Sequence, residues 1–195
     1  SSASTSMSSP GLRTERLLLR QWEPADVEPW AALNADPEVM EHFPATLSAA
    51  ESAASVDRVS AELASRGWGW FAVEVDGGAR FVGSVALVPV SFDAPCGPAV
   101  EVGWRVAKAH WGNGYATEGA RALLRYAFDV LALAAVVSFT ASSNLASQAV
   151  MLRLGMRRDP HHATFEHPKL PPGHRLRPHV LYRIDASAFA VQAAP

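Results

Sequence analysis

A chain of 195 residues fits one domain and is long enough to bury a substantial core. Its 49% hydrophobic and 18% charged content excludes a disordered protein, and a net charge of −2 without any basic run gives no electrostatic case for nucleic acid. The longest apolar run, VLALAAVV at 130–137, is too short to span a membrane, and the lone Cys96 excludes an intramolecular disulfide and suits a reducing cytoplasm.

In chain order, SSASTSMSSPG (1–11) lacks both the positive and the apolar region of a signal peptide and reads as a flexible tail. LRTERLLLRQW (12–22) reads as the first strand. EPADVEPWAALNAD carries Val27, Trp30 and Leu33 at helical spacing, with Pro24 acceptable in a first turn. SAAE at 48–51 is a capping-box pattern opening a second helix, which Gly67 stops after Arg66. WGWFAVEV and RFVGSVALVPV are the next two strands, joined through a hairpin signal at Asp76-Gly77-Gly78. SFDAPCGP is a loop, AVEVGWRV the fourth strand, 117–131 a third helix, and VVSFTAS the fifth strand. A short helix over 144–154 ends at Gly155, and HVLYRI (179–184) is a late strand beyond the proline-rich loop HPKLPPGHRLRP. Residues 12–190 form a single domain, and 191–195 a second flexible tail.

This order predicts a mixed α/β fold: an antiparallel meander followed by one right-handed strand–helix–strand crossover between parallel neighbours. The loop AHWGNGYATEG (109–119) then sits at the carboxyl end of the fourth strand, where such sheets open a ligand crevice. Gly112 and Gly114 permit positive φ, so successive N–H groups can converge on one point, and the helix that follows adds partial positive charge. The chemistry suits a pyrophosphate. A nucleotide-hydrolysing loop would need a lysine after the glycines, where Tyr115 stands. A nicotinamide-binding turn would need a third glycine, where Thr117 stands, and an acidic residue about twenty positions on. Phosphate binding without phosphoryl or hydride machinery points to coenzyme A. The alternative is that the glycines merely serve a tight turn into the helix.

The stretch RVAKAHWGNGYATEGARALL resembles the acyl-CoA-binding signature of the GNAT superfamily of N-acetyltransferases, Q/R-x-x-G-x-G/A, with Trp111 in place of the first Gln or Arg. That tryptophan is usual in the branch related to the Rim-type ribosomal-protein N-terminal acetyltransferases. LRTERLLLR, NADPEVM (34–40) and NLASQAVMLRLGM (144–156) resemble the same branch, in the same order, over about residues 12–185. The resemblance implies a central mixed sheet of about six to seven strands flanked by helices, with the fourth and fifth predicted strands parallel and splayed. It implies acetyl-CoA as co-substrate, with the backbone of Trp104 and Val106 pairing with the pantetheine amides. The amides of Trp111, Gly112, Asn113, Gly114, Tyr115 and Ala116 would hold the pyrophosphate, and Asn144 the pantetheine arm. A backbone N–H of the fourth strand would polarise the thioester carbonyl. It also implies an amine acceptor, a protein N-terminus or a small molecule, attacking directly in a ternary complex. Succinyl-CoA as donor, and a non-catalytic acyl-CoA sensor on the same scaffold, are the alternatives.

Acyl transfer needs a proton acceptor for the amine and a donor for the leaving thiolate. Glu101 is the candidate base: Val100, Val102, Trp104 and Val106 share one face of their strand, leaving Glu101 on the other, and a mid-sheet carboxylate is costly unless paired or used. A structural ion pair with another strand is the competing reading. Ser147, three after Asn144, is the candidate acid, and the Rim-type branch places a serine there; otherwise it is an exposed helix residue. Cys96 lacks a visible activating base and reads as an inert loop thiol rather than an acylated nucleophile. His161, His162, His167, His174 and His179 lack metal-ligand spacing and read as a surface-loop cluster, although Glu166 and His167 could line the acceptor mouth. Trp22, Trp30, Trp68 and Trp70 read as core, with those near the first helix able to wall the acceptor pocket. No metal is called for; a homodimer is compatible with the sequence but no surface is indicated.

Overall fold

The structure, a computed structural model, describes residues 11–193; all but the last residue of the tail expected over 1–11, and the last two positions of the chain, lie outside the described residues. The strand expected over 12–22 is a hairpin: β1 (Leu12–Arg13) folds back on β2 (Leu17–Arg20), with Leu12 opposite Leu19. The turn is made locally, because Thr14 N–H donates to Leu17 O and Leu17 N–H to Thr14 Oγ, both at 2.9 Å. A 3₁₀ turn over Pro24–Asp26 leads into α1 (Val27–Ala35). In α2 (Ala49–Arg66) the Ser48–Glu51 capping box forms in both directions, and Gly67 closes the helix at φ 86°.

Strands β3 (Trp70–Val75), β4 (Gly83–Pro89) and β5 (Val100–Val106) continue the meander, so β5 is the fourth strand of the sequence reading. Helix α3 (Tyr115–Asp129) crosses to β6 (Ala135–Ala141), and α4 (Leu145–Arg153) follows. Two short strands that the sequence reading did not include, β7 (Arg157–Arg158) and β8 (Thr164–Glu166), precede the expected loop at 167–178 and pair with β9 (Pro178–Asp185). A helix α5 (Ala186–Ala193) runs through the start of the expected C-terminal tail, with Phe189 buried in the core.

Among the described residues the sheet therefore has nine strands rather than about six to seven, in the order β1-β2-β3-β4-β5-β6-β9-β7 with β8 also on β9. Every pairing is antiparallel except β5 with β6. That parallel pairing is confined to Glu101 opposite Val137, although both strands continue well beyond it. Beyond this point β5 and β6 part. Helix α3 closes one face of the sheet with Ala120, Leu123, Leu124 and Ala127, and its Gly119 lies so near Val85 that a Cβ there would stand 3.0 Å from the valine side chain. On the other face, Arg105 of β5 reaches Asn34 and the Trp30 ring, both on α1. Trp22 and Trp30 meet edge to face at 5.1 Å within the core, as the core reading of these tryptophans expects.

Candidate active site

The site is built around the parting of β5 and β6. Ala107, just past β5, donates its N–H to Val82 O beside β4 at 2.9 Å. By the two-residue period of a strand, the polar groups of Val102, Trp104 and Val106 turn the opposite way, toward β6. Ser138 Oγ on β6 donates to Val102 O at 2.8 Å, which fixes that direction. Past it, the backbone edges of Trp104 and Val106 face the gap.

At the end of the gap lies the glycine loop. Gly112 and Gly114 both take φ 78°, in the left-handed region, and open space surrounds Gly112, so φ rather than crowding sets the need for glycine there. The loop's side chains brace it from within: Trp111 Nε1 donates to Val106 O at 2.8 Å, and Asn113 Nδ2 to His110 O at 2.9 Å. Trp111 N–H is spent on Lys108 O, whereas the first bond of α3 runs from Glu118 N–H to Gly114 O. Among the described residues, no protein acceptor meets the N–H groups of positions 112 to 117. Six successive amides around a helix N-terminus form a strong anion cradle. Of the expected set at 111–116, the Trp111 N–H is the one already bonded within the loop.

Glu118 ties this cradle to the hairpin. It accepts from Thr14 Oγ at 2.5 Å, from Arg16 N–H at 3.0 Å and from Arg16 Nε at 2.8 Å. Despite partial burial, these donors hold its carboxyl below the usual range. Arg16 is thereby held over the Tyr115 ring, 5.0 Å from its centroid, at the rim of the cradle. Arg16 escaped the sequence reading because its partner is 102 positions away.

One cavity of about 1360 Å³ runs from the cradle through the gap. Single small ligands occupy roughly 300–1,000 Å³, so there is room for a long co-substrate and a second reactant. Trp104, Val106, residues 111–116, Asn144 and Ser147 all line it. Asn144 caps α4: its Oδ1 accepts from Ser147 N–H at 3.2 Å, and its Nδ2 donates to Thr140 Oγ at 3.1 Å and Ser147 Oγ at 3.0 Å. Both amide hydrogens are thus committed within the protein, leaving only Oδ1 with a spare lone pair. Ser147 Oγ, by accepting from Asn144, keeps its own hydrogen free to donate.

Glu101 stands apart from this group. It lies where β5 and β6 still pair and is not on the cavity lining among the described residues. Among the described residues its Oε2 is buried without a hydrogen-bond partner and no ion pair, the expected alternative, is formed. Burial pushes its carboxyl up to about 8, against a smaller opposite pull from Lys169. His179 is buried on β9 and His167 is part-buried at the start of the loop after β8; both join a cluster with Phe92, Phe139 and Phe165, and both line the cavity. Burial, then His179 and Lys169, drives His167 down to about 4, so it is neutral at physiological pH. Glu166 instead pairs with Arg177 at 3.2 Å. Burial raises the Cys96 thiol, the opposite of what a nucleophile needs, and it sits in a separate cleft with His161 and His162. No group of three or more metal-ligating side chains occurs among the described residues, and no helix there is long and apolar enough to cross a membrane.

The acetyltransferase (GNAT) domain family matches residues 16–157. The chain belongs to this family. A GNAT-family acetyltransferase from Bacillus anthracis shares its fold with a TM-score of 0.75 and 25% identity, over 91% of this chain and 99% of that one. RimJ of Mycobacterium smegmatis, solved with CoA-disulfide, shares the fold with a TM-score of 0.67 at 21% identity, over 91% of this chain and 88% of its own. A 56-residue segment is 52% identical to the FsC-acetyl coenzyme A-N(2)-transacetylase of Aspergillus fumigatus, covering 29% of this chain and 24% of that protein. The GNAT chain described here is an acyl-CoA-dependent N-acetyltransferase, with acetyl-CoA as the co-substrate its fold uses.

Proposed function

We propose that this GNAT enzyme transfers an acetyl group from acetyl-CoA to a primary amine by direct attack within a ternary complex, and that it belongs to the Rim-type branch. The run of unpartnered amides at 112–117, opening onto the gap between β5 and β6, carries this reading. These amides hold the diphosphate, Arg16 adds a cation at the rim, and the free edge of Trp104 and the N–H of Val106 pair with the pantetheine amides. Asn144 offers its spare Oδ1 lone pair to the same arm. Bound acetyl-CoA supplies a thioester, already activated toward an amine.

The chain's own groups manage position and protons. Holding both reactants in one cavity removes much of the entropic barrier. A backbone N–H of β5 stabilises charge on the carbonyl oxygen. Glu101 takes the ammonium proton through water, the nitrogen's second proton passes to solvent as the amide forms, and Ser147, oriented by Asn144, gives its hydroxyl proton to the departing sulfur and regains one from solvent. The C–N bond forms as the C–S bond breaks.

A thermal-shift series with acyl-CoAs, followed by thiol release in the presence of an amine panel, tests the reading. At a hundredfold excess over Kd, acetyl-CoA should raise stability by about 2.7 kcal/mol. Binding without thiol release for any amine would leave a binding module, and stronger turnover with succinyl-CoA would reassign the donor.

A further inference from the structure

Two arginines lie near α1, Arg20 buried and Arg105 part-buried, and they are provided for in opposite ways. Arg20 lays Nη1 and Nη2 on the two oxygens of Asp26 at 2.8 and 2.9 Å, and Nε on Glu74 at 2.7 Å. Among the described residues, Arg105 meets no carboxylate. Its Nη1 donates to the neutral Asn34 Oδ1 at 2.7 Å, and its Nε is buried with no hydrogen bond at all. Its guanidinium lies against two aromatic faces, 5.3 Å from the Trp30 centroid and 4.4 Å from that of Phe43.

The acidic groups around it are engaged elsewhere or out of reach. Glu38 is joined to Lys108, and Glu41 is exposed and 3.7 Å from His42. Glu101 shares the strand face but lies four residues along β5, a separation of roughly 13 Å. Burial alone lowers Arg105, to about 10, so the group remains charged at neutral pH. A part-buried cation whose Nε is closed off from solvent and has no counter-ion is costly to keep unless a ligand completes it.

Arg105 lines the large cavity, together with His42 and Phe43 of the segment between α1 and α2. Its contacts lie on the α1 face of the sheet, whereas the amide cradle opens α3, which packs on the other face. The co-substrate's phosphates are therefore matched by the cradle, and Arg105 is left to the second reactant. A planar guanidinium fork beside a neutral amide balances one negative charge, which is the demand of a carboxylate.

We propose that the acceptor carries a carboxylate close to its amine, and that Arg105 binds that carboxylate and so selects the substrate. The proposal rests on the transferase reading above and narrows its acceptor to amino-acid-like molecules or peptides whose first residue is acidic.

Paired acceptors test it: free amino acids against their carboxamides, and peptides beginning with Glu or Asp against those beginning with Gln or Asn. The wild-type enzyme should favour the charged member of one pairing by about 10- to 100-fold in kcat/KM. Preference in the first pairing identifies a free amino acid, and in the second a peptide. Arg105→Met should erase the preference, lowering kcat/KM for the charged member far more than for the neutral one, and leave KM for acetyl-CoA unchanged. Equal use of charged and neutral acceptors by the wild-type enzyme overturns the proposal, a comparison that needs no variant to fold. An equal loss for both members, or a raised KM for acetyl-CoA, overturns it as well. Absence of thiol release with every amine would instead sink the transferase reading. The acceptor proposal is then decided by calorimetry on the CoA complex: tighter binding of the N-acetylated acid than of its amide supports it, and equal binding overturns it.

Discussion

The indole N–H of Trp111 donates to the backbone carbonyl of Val106 at 2.8 Å, tying the glycine loop to the end of β5. The side chain is 48% exposed, so its value lies in this bond rather than in burial. Trp111→Phe keeps a ring and removes the donor. One neutral hydrogen bond is worth about 1 kcal/mol, so KM for acetyl-CoA should rise about fivefold with kcat little changed, as steady-state kinetics at saturating acceptor would show.

Glu101 sets an acid limb. As a proton acceptor it works only when ionised, so kcat/KM should climb with pH and level off above about pH 8. Glu101→Gln should lower turnover by about 10² to 10⁴ and flatten that limb. Retained turnover with the same pH profile would dismiss it as the base. The same burial has a stability sign. The folded-state value is raised from 4.5 to about 8, so the contribution is fully present below pH 4.5 and is lost as pH rises toward 8. Melting curves of the wild type should fall across that window more steeply than those of Glu101→Gln.

Ser147 and Asn144 act as a unit. Ser147→Ala removes the hydroxyl while leaving its N–H on the Asn144 cap. Turnover should fall by about a hundredfold, the low end for a proton donor because a thiolate leaves readily, while acetyl-CoA affinity stays within about twofold by calorimetry. The reverse pattern, affinity lost and turnover kept, would assign Ser147 to binding.

Arg20 is a matter of stability. Arg20→Met would leave the Asp26 carboxylate, only 3% exposed, without its partner. Removing one member of a buried pair costs about 3–5 kcal/mol, which chemical denaturation should register as a lower midpoint.

Much of this was legible in local spacing. Ser48 and Glu51 announce a capping box, Gly67 ends α2 in the left-handed conformation, and Gly112 and Gly114 adopt the positive φ their spacing suggests. Such features are decided by a few neighbouring residues. The illegible parts depend on distant pairing. The Thr14–Leu17 turn hides inside an unbroken apolar alternation, and β8 becomes a strand only because β9 lies beside it. That pairing is what carries His167 inward. Arg105 meets Asn34 from 71 positions away, and nothing in AVEVGWRV tells that its charge will lack a counter-ion.

The parting of β5 from β6 leaves strand edges exposed in the middle of a sheet rather than at its margins. Hydrogen–deuterium exchange should find positions 104 and 106 labelling quickly in the free protein although both belong to a central strand. Once acetyl-CoA fills the slot, those same positions should label more slowly, so occupancy can be read at single amides without any acceptor present.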